Sequence, residues 1–435
     1  MPGGGGRAVA SWPGPDRNAR ACRCERTCKR RANASALPAQ GPRIAPNSIR
    51  EAPMDWFRPR LLLLARLLLR ARTLLLLMTL ALPARADMVL HFIDVGQGDA
   101  TLVEFPCAAM LVDAGAELNL EYDGTQALLD YLDAFFATRP HLNRTFALLA
   151  VTHPHIDHTR ALPQVAQRYT IQNVITNGQR AGSGSREQLG LQNRAKNSDS
   201  SFVRDRLGLA NEIHYQPVFV GDDLPLSGFS NGIVDPIACP DVDPLIRVLW
   251  GEIRTSNTQL TNGEKRNLNN HSLAIRVDYG SGSVLFTGDL EKEAIDELVK
   301  RYAGTGILDV DVYQVGHHGS ANGTTPELVA AMSPKLAVIS MGPYCRVGVD
   351  WTGNSWVARS YGHPRKSAVE ILEAGVRLTD RSDPTIQIAT APQRFIPMTL
   401  TKKIYATGWD GTVVVKIQKN GRVDLVETKG QSACP

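Results

Sequence analysis

The chain has 435 residues, with 48 Lys and Arg against 43 Asp and Glu, and a formal charge of +5. That sign belongs to its start: residues 1–86 carry 16 Lys and Arg against 4 Asp and Glu, which leaves 32 against 39, about −7, from residue 87 onward. A domain of that balance lacks the positive field on which charge-driven nucleic-acid binding depends, so no stable nucleic-acid complex is expected, although local basic patches stay open.

Residues 1–53 are rich in Gly, Pro, Ala and Arg, without apolar periodicity, and read as a disordered or mis-assigned upstream segment. Cys22, Cys24 and Cys28 have no fourth ligand at zinc-finger spacing. Residues 54–86 read as a signal peptide: five arginines from Arg58 to Arg72, the apolar run Thr73–Leu82, then Ala84-Arg85-Ala86. Cleavage near Ala86 would deliver a periplasmic or secreted chain, whereas Leu61–Leu69 lengthens the apolar region enough to leave an uncleaved anchor open. Cys107, Cys239, Cys345 and Cys434 then allow three disulfide pairings, with free buried thiols as the alternative.

In chain order, Val89–Ile93, Thr101–Phe105 and Met110–Val112 predict an antiparallel start, and Gln126–Ala137 an amphipathic helix. Thr145–Val151, TFALLAV, is continuously apolar and predicts a strand buried on both faces. A short helix over Ala161–Arg168 and a strand over Asn173–Ile175 follow, and the polar, Gly/Ser/Asn-rich stretch Gly178–Ser201 reads as a mobile loop. Ser272–Val277 and Val284–Thr287 flank a hairpin turn, after which helices alternate with strands as far as Ile339. Residues 87–342 are expected to form the main domain. Residues 343–435 extend it with a helix near Ser367–Ala374 and a strand over Gly411–Ile417.

The densest chemistry follows the buried strand. Thr152–Thr159 holds His153, His155, Asp157 and His158 on the loop leaving its C-terminal end, where open α/β sheets keep their ligands. His153 and His155 can turn toward one cation and Asp157 and His158 toward a second, a nitrogen and oxygen set suited to Zn²⁺. A solvated His-rich loop is the alternative reading.

Six motifs together resemble the metallo-β-lactamase superfamily, and within it the soluble C-terminal domain of the competence protein ComEC and its stand-alone secreted relatives. They are His91–Ala100 (HFIDVGQGDA), Leu111–Gly115 (LVDAG), Thr152–His158, Asn269–Leu273 (NNHSL), Leu285–Leu290 (LFTGDL) and Val315–Ser320 (VGHHGS). The resemblance implies an α/β fold, an αββα sandwich of two mixed sheets packed face to face with helices outside. It also implies two divalent metal ions, zinc or manganese. His153, His155 and His271 would hold the first, Asp157, His158 and His318 the second, and Asp289 would bridge them. Of the adjacent histidines, His318 is taken as the ligand and His317 as the catalytic or phosphate-contacting partner; Asp157 is counted with the catalytic residues as well. Asp113 would orient ligand loops. His363, Gln97 and Asp99 are candidates for substrate contact, with turn formation explaining Gln97 and Asp99 almost as well.

Two closely spaced cations acidify a shared water and clamp charge developing on a substrate. The expected function is a secreted metal-dependent hydrolase of phosphodiesters, small-molecule or nucleic-acid, with no membrane channel in this chain. β-Lactam or other acyl-ester hydrolysis is the alternative, and a non-catalytic binding module ranks below both because no ligand position is lost. Substrate and oligomeric state are left open by the sequence.

Overall fold

Strands whose side chains are apolar on both faces must lie between two layers, and the chain builds two sheets in that position. The computed structural model describes residues 87–429 apart from 222–223, 257 and 382–384, so the expected leader, its three cysteines and Cys434 lie outside the described residues.

β1 (Asp87–Phe92), β2 (Thr101–Glu104) and β3 (Ala109–Val112) form an antiparallel meander, which β4 (Thr145–Val151), β5 (Thr170–Thr176) and β6 (His214–Pro217) continue in parallel. The two-residue strands β7 (Phe219–Val220) and β9 (Glu252–Ile253) pair with each other on either side of β8 (Pro244–Trp250) in sequence. β8 pairs with β10 (Ala274–Tyr279), which turns into β11 (Gly282–Phe286), followed by the parallel strands β12 (Val312–Gln314) and β13 (Leu336–Ile339). β14 (Thr385–Ala391) and β15 (Arg394–Thr399) make a separate hairpin. β16 (Ile404–Ala406) adds to β13, whereas β17 (Thr412–Gln418) and β18 (Val423–Lys429) return to the first sheet beside β1. The orders are β18-β17-β1-β2-β3-β4-β5-β6 and β16-β13-β12-β11-β10-β8.

One apolar core joins the inner faces, with Leu90, Val112 and Leu148 from the first sheet against Val248, Ile275 and Phe286 from the second. On the outer face of the first sheet, Leu149 and Val151 meet α1 (Gly124–Ala137), whose Leu128, Leu132 and Phe136 recur at helical spacing. The second sheet buries Leu285, Tyr313 and Ala337 against the helices Lys292–Arg301, Pro326–Met332 and Lys366–Gly375. Helix, sheet, sheet, helix is the resulting layer order. Each segment following residue 343 that pairs with these sheets does so at an edge or beside β1.

Two further features hold the frame. A disulfide joins Cys107, on the turn between β2 and β3, to Cys239, 132 positions further along the chain, with Cα atoms 5.6 Å apart; Cys345 is disulfide-bonded as well. The stretch expected as a mobile loop is instead occupied by a helix, Ser185–Lys196. Its buried face contains Gln188 and Gln192 beside Leu191 and Ala195, so the amphipathic stripe carries too little hydrophobicity to mark it. The glutamine amide NH2 groups donate to Gln179 O (2.8 Å) and Thr176 Oγ1 (3.2 Å), which pairs the buried donors.

Candidate metal centre

β3 and β4 run parallel and side by side, so their C-terminal ends deliver Asp113 and Thr152 to the same place. The carboxylate of Asp113 accepts from Thr152 N (2.7 Å), from Thr152 Oγ1 (2.7 Å) and from Nδ1 of His158 (2.8 Å). Asp113 itself sits at φ +57°, a left-handed backbone that costs a non-glycine residue energy and recurs at functional sites. With Nδ1 of His158 occupied as a donor, the Nε2 lone pair faces inward.

His158 lies in the short helix α2 (Ile156–Thr159), directly after His153 and His155, whose ring nitrogens approach to 3.0 Å. α2 is pressed onto the loop after β3: a Cβ at Gly115 would fall 1.5 Å from the carbonyl oxygen of Asp157. Across the site, the turn after β11 holds Gly288 at φ +50°, where a Cβ would meet Thr152 Cβ at 2.8 Å, and this turn carries Asp289. Asp289 N donates to Ser272 Oγ (3.1 Å). Its carboxylate oxygens stand 3.1 Å from His158 Nε2, 3.7 Å from His153 Nε2 and 3.8 Å from His318 Nε2.

His317 and His318 follow β12 with φ of +50° and +53°, consecutive left-handed residues that send their rings in different directions. His318 Nδ1 donates to Ser340 O (2.8 Å), and its Nε2 lies 3.3 Å from Asp157. Burial opposes a charge on His318, but the carboxylates of Asp289 and Asp157 outweigh it and push the ring up to about 9. Burial likewise opposes ionisation of Asp289, and the His158, His318 and His317 rings hold it well below the usual carboxylate range.

Two overlapping sets of donor atoms, each set within 4.8 Å of one another, therefore share Asp289: His153 with His155, and Asp157 with His158 and His318. The Nε2 atoms of His158 and His318 are buried without a hydrogen-bond partner. Buried imidazole nitrogens without a hydrogen-bond partner are costly, and two of them converging on carboxylates that otherwise favour protons on the rings fit a divalent cation in the protons' place.

His271 does not join them, which corrects the expectation of a third histidine at the first set. Its Nδ1 accepts from Ile253 N (2.9 Å) and its Nε2 donates to Lys265 O (2.8 Å), so both nitrogens are committed to backbone. Asp99 is also corrected as a substrate contact. It is buried behind the ligand loops, bonded to Gln314 Nε2, with its own N donating to Asp157 O (2.8 Å). Burial, more than neighbouring charge, raises its carboxyl to about 6.

The remaining candidates line a cleft of about 450 Å³ that opens over the donors. Gln97 Nε2 donates to His363 Nδ1 at 3.3 Å, and His317 stands at the cleft wall with no hydrogen-bond partner at Nδ1. Residues that sequence reasoning missed complete it: Asn269, bonded to Glu291 (2.8 Å), together with Arg160, Arg365, Trp356 and Tyr361. Arg160 lies two positions beyond His158 on the same helical turn, a usable signal; Trp356 lies outside all six motifs.

A family described as the metallo-beta-lactamase superfamily matches residues 93–342, more than half of the chain. The chain belongs to the metallo-beta-lactamase superfamily. Its αββα layers and its histidine and aspartate groups are those of a superfamily hydrolase with a capacity for divalent metal. Among curated proteins it is similar to ComE operon protein 3 of Bacillus subtilis, 24% identical over 65% of this chain and 30% of that protein. Similarity extends to Recombination protein 2 of Haemophilus influenzae (35% identical, 30% of this chain, 15% of that protein) and to the uncharacterized protein YcaI of Escherichia coli (33%, 60% and 26%). The chain thus spans less than a third of the length of each of these relatives.

Proposed function

We propose that the chain is an exported metal-dependent phosphodiesterase whose substrates include nucleic-acid-type phosphodiesters. The observation that carries the reading is the convergence of the buried Nε2 atoms of His158 and His318, which lack a hydrogen-bond partner, on the carboxylates of Asp157 and Asp289. His153, His155 and Asp289 would hold one cation, and Asp157, His158, His318 and Asp289 a second. When bound, such cations supply Lewis acidity toward a substrate oxygen and lower the pKa of a nearby water.

The chain's own residues do the rest. Asp113 and Ser340 fix the tautomers of His158 and His318. His317, outside the donor sets and on the cleft wall, is suited to contact a phosphoryl oxygen or to hand a proton to a leaving alkoxide. Arg160 and Arg365 bring positive charge to the same cleft, in a domain whose overall balance is acidic, so that phosphate recognition is local. Two disulfide-bonded cysteine sites, at Cys107–Cys239 and Cys345, support an oxidising compartment.

A panel of single-stranded DNA, a phosphocholine ester and nitrocefin, with His153→Ala as blank, tests the reading. Turnover of a phosphodiester by the wild type and not by the variant is expected. Turnover of nitrocefin alone would move the assignment to acyl hydrolysis.

A further inference from the structure

Four rings run in sequence from the donor cluster to the surface. His318 stacks on His363 with centroids 6.0 Å apart and 23° between planes, His363 on Tyr361 at 5.4 Å and 16°, and Tyr361 meets Trp356 at 6.3 Å and 42°. The outermost, Trp356, lines the cleft and is 44% exposed. Large aromatic side chains are seldom left at a cleft mouth without a partner for the open face.

The ring is held still. Trp356 Nε1 donates to Asp350 Oδ2 (3.0 Å), while Asp350 Oδ1 accepts from the backbone N of Thr352 (2.8 Å) and of Asn354 (3.0 Å). The same segment is tied to the frame where Arg346 pairs with Glu117 (3.1 Å) and lies over the Tyr122 ring, and where Leu120 N donates to Val349 O (3.2 Å). A fixed aromatic face binds a planar ligand without the entropy cost of ordering itself. Arg160 and Arg365 line the same cleft; Arg160 Nε is anchored on Ala116 O (2.9 Å) and Arg365 Nη2 on Tyr361 O (3.1 Å).

A cation-lined cleft with a planar apolar step at its mouth matches a phosphodiester carrying a flat base beside the scissile bond. We infer that Trp356 is a specificity-determining stacking platform for a base beside the scissile bond, one that favours base-bearing, unpaired strands; this rests on the phosphodiesterase reading. In a duplex the base is already stacked and paired, so its face is not available, whereas base stacking on protein aromatics is tolerant of sequence and strong for single strands.

The test compares kcat/KM of the metal-loaded full chain for a short oligothymidylate and for the same oligomer with base-free residues at every position. Wild type should favour the base-bearing strand by about ten-fold or more, the order that one stacked base supplies. Trp356→Ala should collapse that ratio toward one through KM, and Trp356→Phe, which keeps a flat face, should retain most of it. An equal ratio in wild type and Trp356→Ala, with both strands cleaved, overturns the platform and leaves the phosphodiesterase reading standing. Cleavage of neither strand by wild type overturns both. Thermal melts of the two variants separate lost folding from lost stacking.

Discussion

Asp113 and His158 meet at 2.8 Å through the imidazole Nδ1, and this contact decides which nitrogen of His158 faces the donor cluster. The carboxylate comes from the end of β3 and the ring from the turn after β4, so the parallel pairing of two buried strands sets the tautomer of a candidate ligand.

Asp113→Ala should therefore weaken metal binding without touching a donor atom. Removal of a carboxylate behind a ligating histidine costs about 10- to 100-fold in metal affinity. Competition with a chromogenic chelator measures it; unchanged affinity would mean that His158 is oriented by something else.

His271→Ala should do the opposite. With both ring nitrogens bonded to backbone, the ring is a clasp between the turn before β10 and the segment around Ile253. Its loss should destabilise the fold by about 1–3 kcal/mol, the cost of leaving buried polar groups unpaired, while metal content per folded molecule stays the same. A drop in metal content, measured by elemental analysis, would restore His271 to the ligand set.

How far the sequence announces this site depends on which partners a side chain needs. The H-x-H-x-D-H spacing after TFALLAV marks the centre, because a strand buried on both faces is legible as an unbroken apolar run and its end is where ligands collect. Asp289 and His318 are legible only through motif resemblance, because they lie 131 and 160 positions beyond His158, a separation that no local spacing rule bridges. His271 misleads because its partners, Ile253 N and Lys265 O, are backbone groups that any sequence possesses. The helix Ser185–Lys196 hides for a related reason: its inner face is half glutamine, whose NH2 groups donate to acceptors that only the tertiary fold supplies.

The Cys107–Cys239 bond closes a loop of 132 residues across the sandwich. Chain-entropy scaling for a loop of that length gives up to about 5 kcal/mol, with measured values for native bonds at about 2–5 kcal/mol. The Cys107→Ser/Cys239→Ser pair should lower the urea midpoint accordingly, with the denaturant slope checked for a changed unfolded state. No shift in the midpoint would show that the core alone holds the two sheets.

Asp133 offers a pH-dependent test remote from the cleft. Burial raises its carboxyl, but the bonds it accepts from Arg168, from Arg144 Nη2 (2.6 Å) and from Tyr169 Oη (2.8 Å) together outweigh that and hold it at about 2. Because the folded value lies below the unfolded one, about 3.9, its stabilisation is present above about pH 4 and is lost as pH falls toward about 2. Asp133→Asn should lower the melting temperature at about pH 7 by an amount equivalent to about 1 kcal/mol or less, as expected for a partly exposed pair. The difference should close as the pH approaches the folded value; a gap that persists there would mean that the substitution acts through packing.

The central claim, that the convergent histidines and carboxylates form a metal-dependent phosphodiesterase site, is tested most directly by turnover of bis-p-nitrophenyl phosphate. Wild-type activity should vanish with a chelator, return with added Zn²⁺ or Mn²⁺, and fall by about 10³-fold or more in Asp289→Ala, on the scale set by removing a group that holds catalytic charge in place. Activity that survives the chelator, or that Asp289→Ala retains, would contradict it.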